Sequence, residues 1–454
     1  MQTTEMKDKN VVVLGLGRSG MAAASLLQRD GAHVVVRDEG DGELLEQRAH
    51  RLRALGIRVE LGNRFDTSAR FDLAVLSPGI APERPIVREL ATLQTPVLSE
   101  LELAYRFCLC PVVAITGTNG KTTTTELIAA MLADCDKRVV AAGNNGHAFS
   151  DAVNETAGLD ALVLETSSFQ LEKISQFRPD VAVWLNLTPD HLDRHASMED
   201  YARAKGRMFM NQTREDYAVM SLQALEWARR VGVGIKSKII TVSANGQEAD
   251  LWLDWVDGQT IWSRLPECHG ILMRMDETNL RGQHNAENVL AALAAGLAMK
   301  LSVSRMRDAI CSYCPQPHRC EFVAKINQVT YINDSKATNT DAVEKALRSM
   351  TGPVVLIAGG RDKGLDFSTI KEVVTEKVKL AVVIGETKDK ICRAWESAVP
   401  CVRAFSMEEA VSLASSRAGS GDTVLLSPAC ASFDMFDNYE HRGEEFKRHV
   451  FDLR

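Results

Sequence analysis

The sequence has no excess of positive charge. It carries 53 Lys and Arg residues against 60 Asp and Glu residues, which gives a net charge of −7 at pH 7. Proteins that act mainly on nucleic acids or on anionic membrane surfaces usually present basic patches. We therefore expect neither a nucleic acid nor a membrane surface as the main partner of this chain.

Long hydrophobic runs are also missing. The longest apolar helical stretch, residues 289–299, is shorter than the about 18 residues that indicate a membrane span. The first ten residues mix charged and polar types without an apolar core, so we expect no signal peptide and no membrane insertion. With 454 residues, 45% of them hydrophobic, the chain is long enough for two to four globular domains.

Cysteine is too sparse for a disulfide framework, since only ten cysteines occur in 454 residues. Cys311, Cys314, His318 and Cys320 have a spacing that resembles zinc ligands. The alternative is a set of scattered thiols at a domain junction. We favour the alternative, because His318 and its neighbour Arg319 also belong to a motif described below.

The clearest motif is a phosphate-binding loop at residues 115–124. An apolar run at residues 111–114 predicts a buried strand, and residues 126–132 predict a helix. Glycines between them let backbone N–H groups approach an anion, and the helix N-terminus adds partial positive charge. In such loops the lysine, here Lys121, reaches the β- and γ-phosphates, and the hydroxyl of Thr122 ligates Mg²⁺. Only two residues separate the two glycines, where four are usual in phosphate-binding loops. The alternative to a phosphate-binding loop is a simple glycine-rich turn before a helix. We favour the phosphate-binding loop and predict that it binds ATP.

The N-terminal segment contains a second glycine-rich loop. A predicted strand at residues 11–14 runs into Gly-x-Gly-x-x-Gly at residues 15–20, and a helix and a second strand ending at Asp38 follow. This pattern is typical of dinucleotide-binding folds, although the same turn can hold any diphosphate. A third strand, residues 73–76, ends at Ser77. Ser99 and Glu102 have the spacing of a capping box, which predicts a new helix and a boundary near Ser99.

Polar residues follow the predicted strands of the central segment. Asn144 follows residues 138–142, Glu165 follows residues 161–164, and His191 lies after residues 181–185. A carboxylate beside a phosphate loop suits a hard cation, although a helix-capping Glu is the alternative for Glu165. A lone histidine such as His191 is more often a packing or surface residue than a ligand.

Four further strands are predicted in the last segment, at residues 329–332, 354–358, 381–384 and 423–426, and they alternate with helices. This pattern predicts a second Rossmann-like sheet. The fold class is therefore α/β with three domains. We predict an N-terminal Rossmann-like domain (1–98), a central P-loop ATPase-like domain with a mostly parallel sheet (99–316) and a C-terminal Rossmann-like domain (317–454).

Six motifs, spread over essentially the whole chain, resemble those of the Mur ligases in the same order. They lie at residues 116–123, 165–170, 190–193, 282–285, 318–319 and 333–336. Residues 359–367 and 427–432, followed by Arg442, Gly443 and Phe446, resemble the branch of this family that adds D-glutamate. The short phosphate loop is this family's form of the motif.

The resemblance implies a reaction in cytoplasmic peptidoglycan precursor synthesis, carried out by a monomer. ATP would phosphorylate the L-alanine carboxylate of UDP-N-acetylmuramoyl-L-alanine. The amine of D-glutamate would then attack the acyl phosphate and give an amide, ADP and phosphate. Two Mg²⁺ ions are implied as cofactors.

The resemblance also implies roles for individual residues. The catalytic residues would be Lys121, Glu165, His191 and Lys205. The ATP-binding residues would be Gly117, Thr118, Asn119, Gly120, Lys121, Thr122, Thr123, Asn288, Arg319, Asp334 and Lys336. The UDP-sugar would contact Leu16, Gly17, Arg18, Ser19, Asp38, Ser77, Asn144 and His191. D-Glutamate would contact Thr338, Lys363, Ser432 and Tyr439. The metal ligands would be Thr122, Glu165, His191 and Lys205, the last as an N6-carboxylated lysine, because an ammonium cannot ligate Mg²⁺.

Three alternatives remain at this point. A dehydrogenase would explain the first glycine-rich loop but would leave the phosphate-binding loop at residues 115–124 without a function. A nucleotide-binding scaffold without activity is disfavoured, because every catalytic position is filled. Another Mur-type ligase or a folylpolyglutamate-type ligase would use a different amino acid; the Asp-Asn-Pro-Arg motif of the diamino-acid-adding relatives is absent.

Overall fold

The computed structural model describes residues 6–62, 70–80, 84–144, 146–192, 194–254, 256, 259–280, 282–314, 317–350 and 352–453. These residues form three α/β units, each built around its own sheet. The predicted fold class is confirmed. Within the described residues, we find no helix that combines the length and the apolar character needed to cross a membrane.

The first unit is a five-stranded parallel sheet with the order β3-β2-β1-β4-β5. Its strands are β1 (Asn10–Leu14), β2 (His33–Asp38), β3 (Arg58–Leu61), β4 (Leu73–Leu76) and β5 (Val97–Ser99). Its helices are α1 (Arg18–Arg29), α2 (Glu43–Ala54) and α3 (Pro85–Thr92). The strand order reverses between β1 and β4, so a crevice opens outside the carboxyl ends of these two strands. The first glycine-rich loop and Ser77 lie at this crevice.

The helix α4 (Glu100–Tyr105) connects the first unit to the central one. The predicted cap at Ser99 is present, since its Oγ accepts a hydrogen bond from Glu102 N at 3.3 Å. The other half of the predicted capping box is wrong. The Glu102 carboxylate instead accepts hydrogen bonds from the backbone N–H groups of residues 175–177 at 2.8–3.0 Å. This buried carboxylate therefore fastens α4 to the central unit.

The central unit has nine strands in the order β14-β13-β12-β11-β10-β9-β6-β8-β7. Strand β13 is antiparallel to both of its neighbours, β12 and β14, and all other neighbouring strands are parallel. The strands are β6 (Val112–Thr116), β7 (Val139–Gly143), β8 (Ala161–Glu165), β9 (Val181–Trp184), β10 (Tyr217–Ser221), β11 (Lys238–Ser243), β12 (Leu251–Asp254), β13 (Thr260–Ser263) and β14 (Gly270–Arg274). The helices are α5 (Lys121–Asp134), α6 (Phe149–Ala152), α7 (Ser168–Leu171), α8 (Met198–Gly206), α9 (Leu222–Arg230), α10 (Gln283–Ala298) and α11 (Val303–Ser312).

Burial explains the position of the phosphate loop in this unit. All five residues of β6 are buried, because helices cover both faces of the parallel sheet. The alanine-rich helix α10 is buried along most of its length and packs against α5 and the sheet. Its small side chains allow this close packing on more than one side. The loop after β6 thus starts from a rigid strand and ends in a helix held by the core.

The C-terminal unit is a six-stranded sheet with the order β15-β16-β20-β17-β18-β19, in which β15 is antiparallel to β16 and the other strands are parallel. The strands are β15 (Glu321–Ile326), β16 (Val329–Asn333), β17 (Val354–Gly359), β18 (Val378–Ile384), β19 (Cys401–Arg403) and β20 (Thr423–Leu426). The helices are α12 (Thr340–Ser349), α13 (Lys371–Lys377), α14 (Lys388–Trp395), α15 (Met407–Arg417) and α16 (Tyr439–Phe451). The four strands predicted from the sequence are present, and the edge strands β15 and β19 are additional.

Candidate active site

The phosphate loop connects β6 to α5. Gly120 is the N-cap residue of α5 and has a φ of +84°, a conformation that favours glycine. The backbone N–H groups of Thr118 and Asn119 donate to Asn186 Oδ1 at 3.1 and 2.9 Å. Lys121 Nζ donates to the carbonyl oxygens of Gly117 and Thr118 at 3.1 and 2.8 Å. The lysine is thus folded back over the loop, where it can meet an anion bound to the helix N-terminus.

Glu165, at the end of β8, lies beside the first turn of α5. Its Oε2 accepts a hydrogen bond from Thr122 Oγ1 at 2.7 Å, and its Oε1 accepts one from Asn144 Nδ2 at 2.9 Å. A hydroxyl and a carboxylate oxygen therefore meet next to the phosphate loop. These are the hard oxygen donors that Mg²⁺ prefers. Asn145, in the loop after β7, lies outside the described residues.

Lys205 is only 1% exposed and lies under the same loop. Its Nζ donates to Gly117 O at 2.8 Å and lies 4.5 Å from the centre of the Tyr201 ring. Burial holds the pKa of Lys205 well below its usual value, and the charge of Lys121 lowers it further. No described carboxylate forms an ion pair with this lysine, although Asp190 lies near enough to act on its pKa. A buried lysine in this setting favours the neutral amine.

His191 and Asp190 lie in the loop after β9. His191 has a φ of +55°, and its Nε2 lies 3.7 Å from Asp190 Oδ2. Burial lowers the pKa of His191, which Asp190 opposes, while Lys363, Lys121 and Lys205 lower it further. The sequence motif continues to Asp193, which lies outside the described residues. The histidine is therefore not isolated, because Asp190 lies beside it and the charges of three lysines act on its pKa.

The C-terminal unit contributes basic residues to the opposite wall. Arg319, Asp334 and Lys336 line a cavity together with residues of the central unit, Asn119, Gly120, Thr123, His284, Asn285 and Asn288. Asn288 is 3% exposed and its Oδ1 accepts a hydrogen bond from Thr124 Oγ1 at 3.3 Å. Burial and the charge of Arg319 lower the pKa of Lys336 to about 8. The predicted ATP residues of the two units thus face each other across this cavity.

Asp334 is held in place within that wall. Its Oδ2 accepts a hydrogen bond from Ser427 Oγ at 2.8 Å and its Oδ1 accepts one from Cys320 N at 3.1 Å. Burial raises the pKa of Asp334 to about 6, against these hydrogen bonds. The carboxylate is therefore oriented before any ligand arrives.

The four residues predicted for D-glutamate lie in the C-terminal unit. Ser432 is 2% exposed, whereas Thr338, Lys363 and Tyr439 are half-buried. Lys363 is close enough to Asp190, His191 and Lys121 to act on the pKa of each. The Tyr439 ring packs against Lys336, whose Nζ lies 3.7 Å from the ring centre. The structure thus places Lys363 and Tyr439 beside the central cluster.

The residues predicted for the UDP-sugar lie mainly at the crevice of the first unit. Gly17 is the N-cap of α1, which begins with Arg18 and Ser19, and buried Leu16 precedes it. The backbone N–H of Leu16 donates to Asp38 Oδ2 at 2.7 Å, and Ser77 Oγ donates to Gly15 O at 3.2 Å. In this structure, Asp38 and Ser77 hold the loop itself.

Two contacts extend this crevice toward the central unit. A Cβ atom placed on Gly146 would lie 3.1 Å from Arg18 Nη1, so the Arg18 guanidinium lies directly beside Gly146. Arg194 Nη1 donates to the carbonyl oxygen of Pro78 at 3.5 Å. Asn144 and His191 therefore lie on the side of the central unit that faces the first.

The cysteines weighed as zinc ligands are engaged elsewhere. His318 is buried and its Nδ1 lies 2.9 Å from Asn333 Nδ2. The Cys314 thiol lies 3.8 Å from Asn279 Nδ2, at the surface. Throughout the described ranges, no three His, Cys, Asp or Glu side chains are arranged as a metal-binding group.

Sequence reasoning assigned no role to three residues that organise the site. Asn186 holds the phosphate loop, and Asn339 donates to Asp190 Oδ2 at 3.1 Å across the two units. Arg442 is fully buried and donates to the Ser335 carbonyl at 2.7 Å and to the Cys430 carbonyl at 3.0 Å. The position of Asn186 after β9 was the only signal for it, since the carboxyl ends of parallel strands meet at one edge.

Comparison with known proteins adds three family models. Residues 9–99 match the "Mur ligase MurD-like, N-terminal domain", residues 115–296 the "Mur ligase middle domain" and residues 318–430 the "Mur ligase, glutamate ligase domain".

Relatives of similar length carry the name of a D-glutamate ligase. The chain is 41% identical over 468 aligned residues to UDP-N-acetylmuramoylalanine–D-glutamate ligase of Chloroherpeton thalassium, with 100% of both chains covered. It is 43% identical to the enzyme of the same name from Pelotomaculum thermopropionicum, with 98% of both chains covered.

Solved structures share the fold at lower sequence identity. UDP-N-acetylmuramate–alanine ligase from Thermotoga maritima superimposes with a TM-score of 0.62 at 16% identity and covers 98% of this chain and 100% of its own. The MurF ligase from the same organism, in complex with ADP, gives 0.63 at 17% identity, with 100% and 98% covered. These similarities show the three-unit fold.

Proposed function

Because the chain belongs to the Mur ligase family, we propose that it joins D-glutamate to UDP-N-acetylmuramoyl-L-alanine at the expense of ATP. The observation that carries this proposal is the convergence of Lys121, Lys205 and Lys363 with Glu165 and Asp190 around one phosphate loop. A triphosphate and two carboxylate substrates need fixed cations, which Lys121 and Lys363 supply, whereas Lys205 is the residue that we propose to be carboxylated. The full-length relatives with this activity in their names support the choice of amino acid.

The first step is a phosphoryl transfer from ATP to the L-alanine carboxylate. It requires mainly positioning and neutralisation of charge. The N–H groups at the start of α5 and the Lys121 ammonium would hold the phosphates, while Arg319 and Lys336 would close on the nucleotide from the other wall. Asn288 and Asp334 would contact the nucleoside. This transfer leaves ADP. The neutral amine of D-glutamate then attacks the acyl phosphate and loses a proton, which forms the amide bond and expels phosphate.

Mg²⁺ fits the donors that are present. Thr122 and Glu165 offer adjacent oxygen atoms, and bound Mg²⁺ would neutralise charge on the transferred phosphate. A second ion would use His191 and Lys205, provided that Lys205 is carboxylated. The neutral amine of a buried lysine can attack CO₂ and release a proton, which converts the amine into an anionic carbamate with oxygen atoms that can ligate a metal.

The Lys205 adduct can be tested directly. In ¹³C-bicarbonate, we expect a carbamate resonance in the NMR spectrum of the wild-type protein that is lost in Lys205→Ala. Lys137→Ala, which changes an exposed lysine on the same unit, should keep it. The Lys205→Ala variant should lose most activity and regain part of it with a small carboxylate such as acetate. A resonance that persists in Lys205→Ala would show that the adduct lies elsewhere.

The UDP-sugar would extend from the crevice of the first unit to Asn144 and His191. The N-terminus of α1 suits the diphosphate, with Arg18 beside it. Titration with the UDP-sugar and with NAD separates this reading from a dehydrogenase, and tight binding of NAD alone would contradict it.

D-Glutamate would be held by Lys363, Thr338, Ser432 and Tyr439. Charge-assisted hydrogen bonds to its side-chain carboxylate contribute about 1.5–3 kcal/mol each. We therefore expect Lys363→Ala to raise the KM for D-glutamate at least tenfold and to leave ATP binding nearly unchanged.

The deciding experiment is phosphate release from ATP in the presence of UDP-N-acetylmuramoyl-L-alanine and each amino acid in turn. D-Glutamate should support turnover, whereas L-lysine and meso-diaminopimelate should not. Equal rates with either diamino acid would place the chain on another branch of the family. We further propose the domain bounds 1–98, 99–316 and 317–454, supported by the three separate sheets, and a monomer in the cytoplasm.

A further inference from the structure

Two cysteines lie side by side in the segment that connects α4 to β6. The Sγ atoms of Cys108 and Cys110 are 3.9 Å apart, and Cys108 Sγ lies 3.5 Å from the carbonyl oxygen of Cys110. Both side chains are half-buried, and Leu109 between them is 66% exposed. The proposed ligase reaction uses neither thiol.

The geometry is close to that needed for a bond between the two sulfurs. A disulfide requires a separation of about 2 Å between the sulfur atoms, so the two thiols must approach by about another 2 Å. The segment belongs to neither a helix nor a strand, so its dihedral angles can change without breaking a ladder of hydrogen bonds. Its backbone is held by a hydrogen bond from Cys108 N to the Tyr105 carbonyl oxygen at 3.0 Å and by one from Leu109 N to Thr156 Oγ1 at 3.2 Å.

The two thiols are also chemically unequal. The thiol of Cys110 is placed to donate to the sulfur of Cys108, and this hydrogen bond lowers the pKa of Cys108 against the effects of burial and of Asp180. The same contact, together with burial, raises the pKa of Cys110. Thiol–disulfide exchange begins with attack by a thiolate, so Cys108 is the better nucleophile of the two.

We propose that Cys108 and Cys110 are a dithiol modification site that forms a reversible disulfide with a low-molecular-weight disulfide as the oxidant. The Cys108 thiolate attacks one sulfur of the oxidant and expels the other as a thiolate. Cys110 then loses its proton, attacks the Cys108 sulfur and expels the second thiolate. Two protein thiols are oxidised, and one disulfide is reduced to two thiols, which take up the two protons.

Other cysteines provide internal comparisons. Cys392 and Cys430 are 1% and 2% exposed, so a soluble oxidant cannot reach them in the folded protein. Cys314 is exposed, and within the described residues its sulfur has polar contacts with Asn279 Nδ2 at 3.8 Å and the Ser312 carbonyl oxygen at 3.9 Å, but with no other thiol. It should therefore stop at a mixed disulfide, as a thiol without a resolving partner does.

The test uses the full chain in glutathione buffers of graded oxidised-to-reduced ratio, followed by alkylation and peptide mass spectrometry. In the wild type, the peptide with Cys108 and Cys110 should lose two hydrogens and resist alkylation, and dithiothreitol should reverse this. In Cys110→Ser, glutathione should remain on Cys108. In Cys108→Ser, Cys110 should stay open to alkylation.

Two results would overturn the proposal. One is a wild-type peptide that is alkylated on both cysteines at every ratio while Cys314 carries glutathione, which shows that the oxidant was active. The other is glutathione that persists on Cys108 of the wild type without transfer to Cys110. If Cys108→Ser or Cys110→Ser unfolds, as judged by circular dichroism, the Cys314→Ser protein replaces it. That protein keeps both Cys108 and Cys110 and has no substitution near the segment that connects α4 to β6.

Discussion

The chain contains two glycine-rich loops that look alike in sequence but are built differently. Each follows a buried parallel strand and starts a helix, of 12 residues in α1 and 14 residues in α5. In the first loop, Leu16 N donates to the Asp38 carboxylate, and the loop opens on a crevice of the first unit. In the second, two N–H groups donate to the neutral amide of Asn186, and Lys121 folds over the loop.

The different residues around the two loops indicate which ligand each loop can hold. A strand, a glycine turn and a helix N-terminus favour an anion in both places. The second loop adds Lys121 and the basic residues Arg319 and Lys336 of the C-terminal unit, which suit the larger charge of a triphosphate. The first loop has the Asp38 carboxylate beside it, at the end of β2, and a carboxylate in this position can accept a hydrogen bond from the ribose of a nucleoside diphosphate.

The largest expected effect comes from removing the lysine that distinguishes the second loop. Lys121→Ala should lower kcat for phosphate release by about 10²- to 10³-fold, because a fixed cation near the developing phosphate charge is lost. Binding of the UDP-sugar to the first loop should not change. Lys137→Ala is the matched control, since that lysine is exposed and lies beyond the end of the same helix. Activity of Lys121→Ala near the wild-type level would contradict a catalytic role of Lys121 in the second loop.

The first loop can be disrupted by a single methyl group. A Cβ at Gly20 would lie 1.9 Å from the carbonyl oxygen of Gly15 and 2.8 Å from Ser77 Oγ, whereas a Cβ at Gly17 meets nothing within 4 Å. Gly20→Ala should therefore destabilise the protein by about 1–3 kcal/mol and weaken UDP-sugar binding. Urea unfolding and calorimetric titration measure these effects. Gly17→Ala is the control for stability alone, because Gly17 is itself an expected UDP-sugar contact, and equal losses of stability in the two variants would contradict the role of the close contact.

The acceptor beneath the second loop should have a smaller effect. Asn186→Ala removes the side-chain oxygen that accepts from the N–H groups of Thr118 and Asn119. The Thr118 N–H keeps the Asn186 backbone carbonyl as an acceptor at 3.2 Å, whereas the half-buried Asn119 N–H loses its acceptor, at a cost of about 1–3 kcal/mol. We expect the Kd for ATP to rise about tenfold, which corresponds to about 1.4 kcal/mol. The Kd for the UDP-sugar in the same variant serves as the control. If both constants rise together, the asparagine supports the whole fold rather than this loop.

The smallest expected effect is a pH dependence of stability near the second loop. Burial, helped by the charges of Lys205, His191 and Arg194, lowers the pKa of His195 from 6.5 to about 4, although Asp200 opposes the shift. Between these two values the unfolded chain binds more protons than the folded one, so the free energy of unfolding falls as the pH decreases from 6.5 to 4. The decrease ends below pH 4.

Denaturant unfolding at several pH values checks this expectation. His195→Gln, which can keep a hydrogen bond to Ser168, should flatten the decrease between pH 6.5 and 4. His33→Gln, at an exposed position of β2, should leave it unchanged. An unaltered slope in His195→Gln would assign the pH dependence to other groups.

The sequence by itself determined the fold class and the position of both loops. The alternation of apolar strands with helices requires parallel sheets, and polar residues at strand ends then meet at one edge of each sheet. Glu165 and Asn144 could be placed beside the phosphate loop for this reason. Three of the strands that sequence reasoning did not predict, β3, β5 and β19, have only three or four residues, so their apolar pattern is weak.

Only the tertiary structure decided which distant side chains meet. Asn119 and Asn186 are 67 residues apart in the chain, and Asp190 and Asn339 are 149 residues apart. The Glu102 carboxylate likewise caps residues 175–177 instead of its own helix. Local periodicity depends on neighbouring residues alone, whereas these contacts depend on how three sheets and their helices pack. The sequence offers many possible acceptors for each hydrogen-bond donor, and only the packing of the folded chain decides which acceptor lies close enough to the donor.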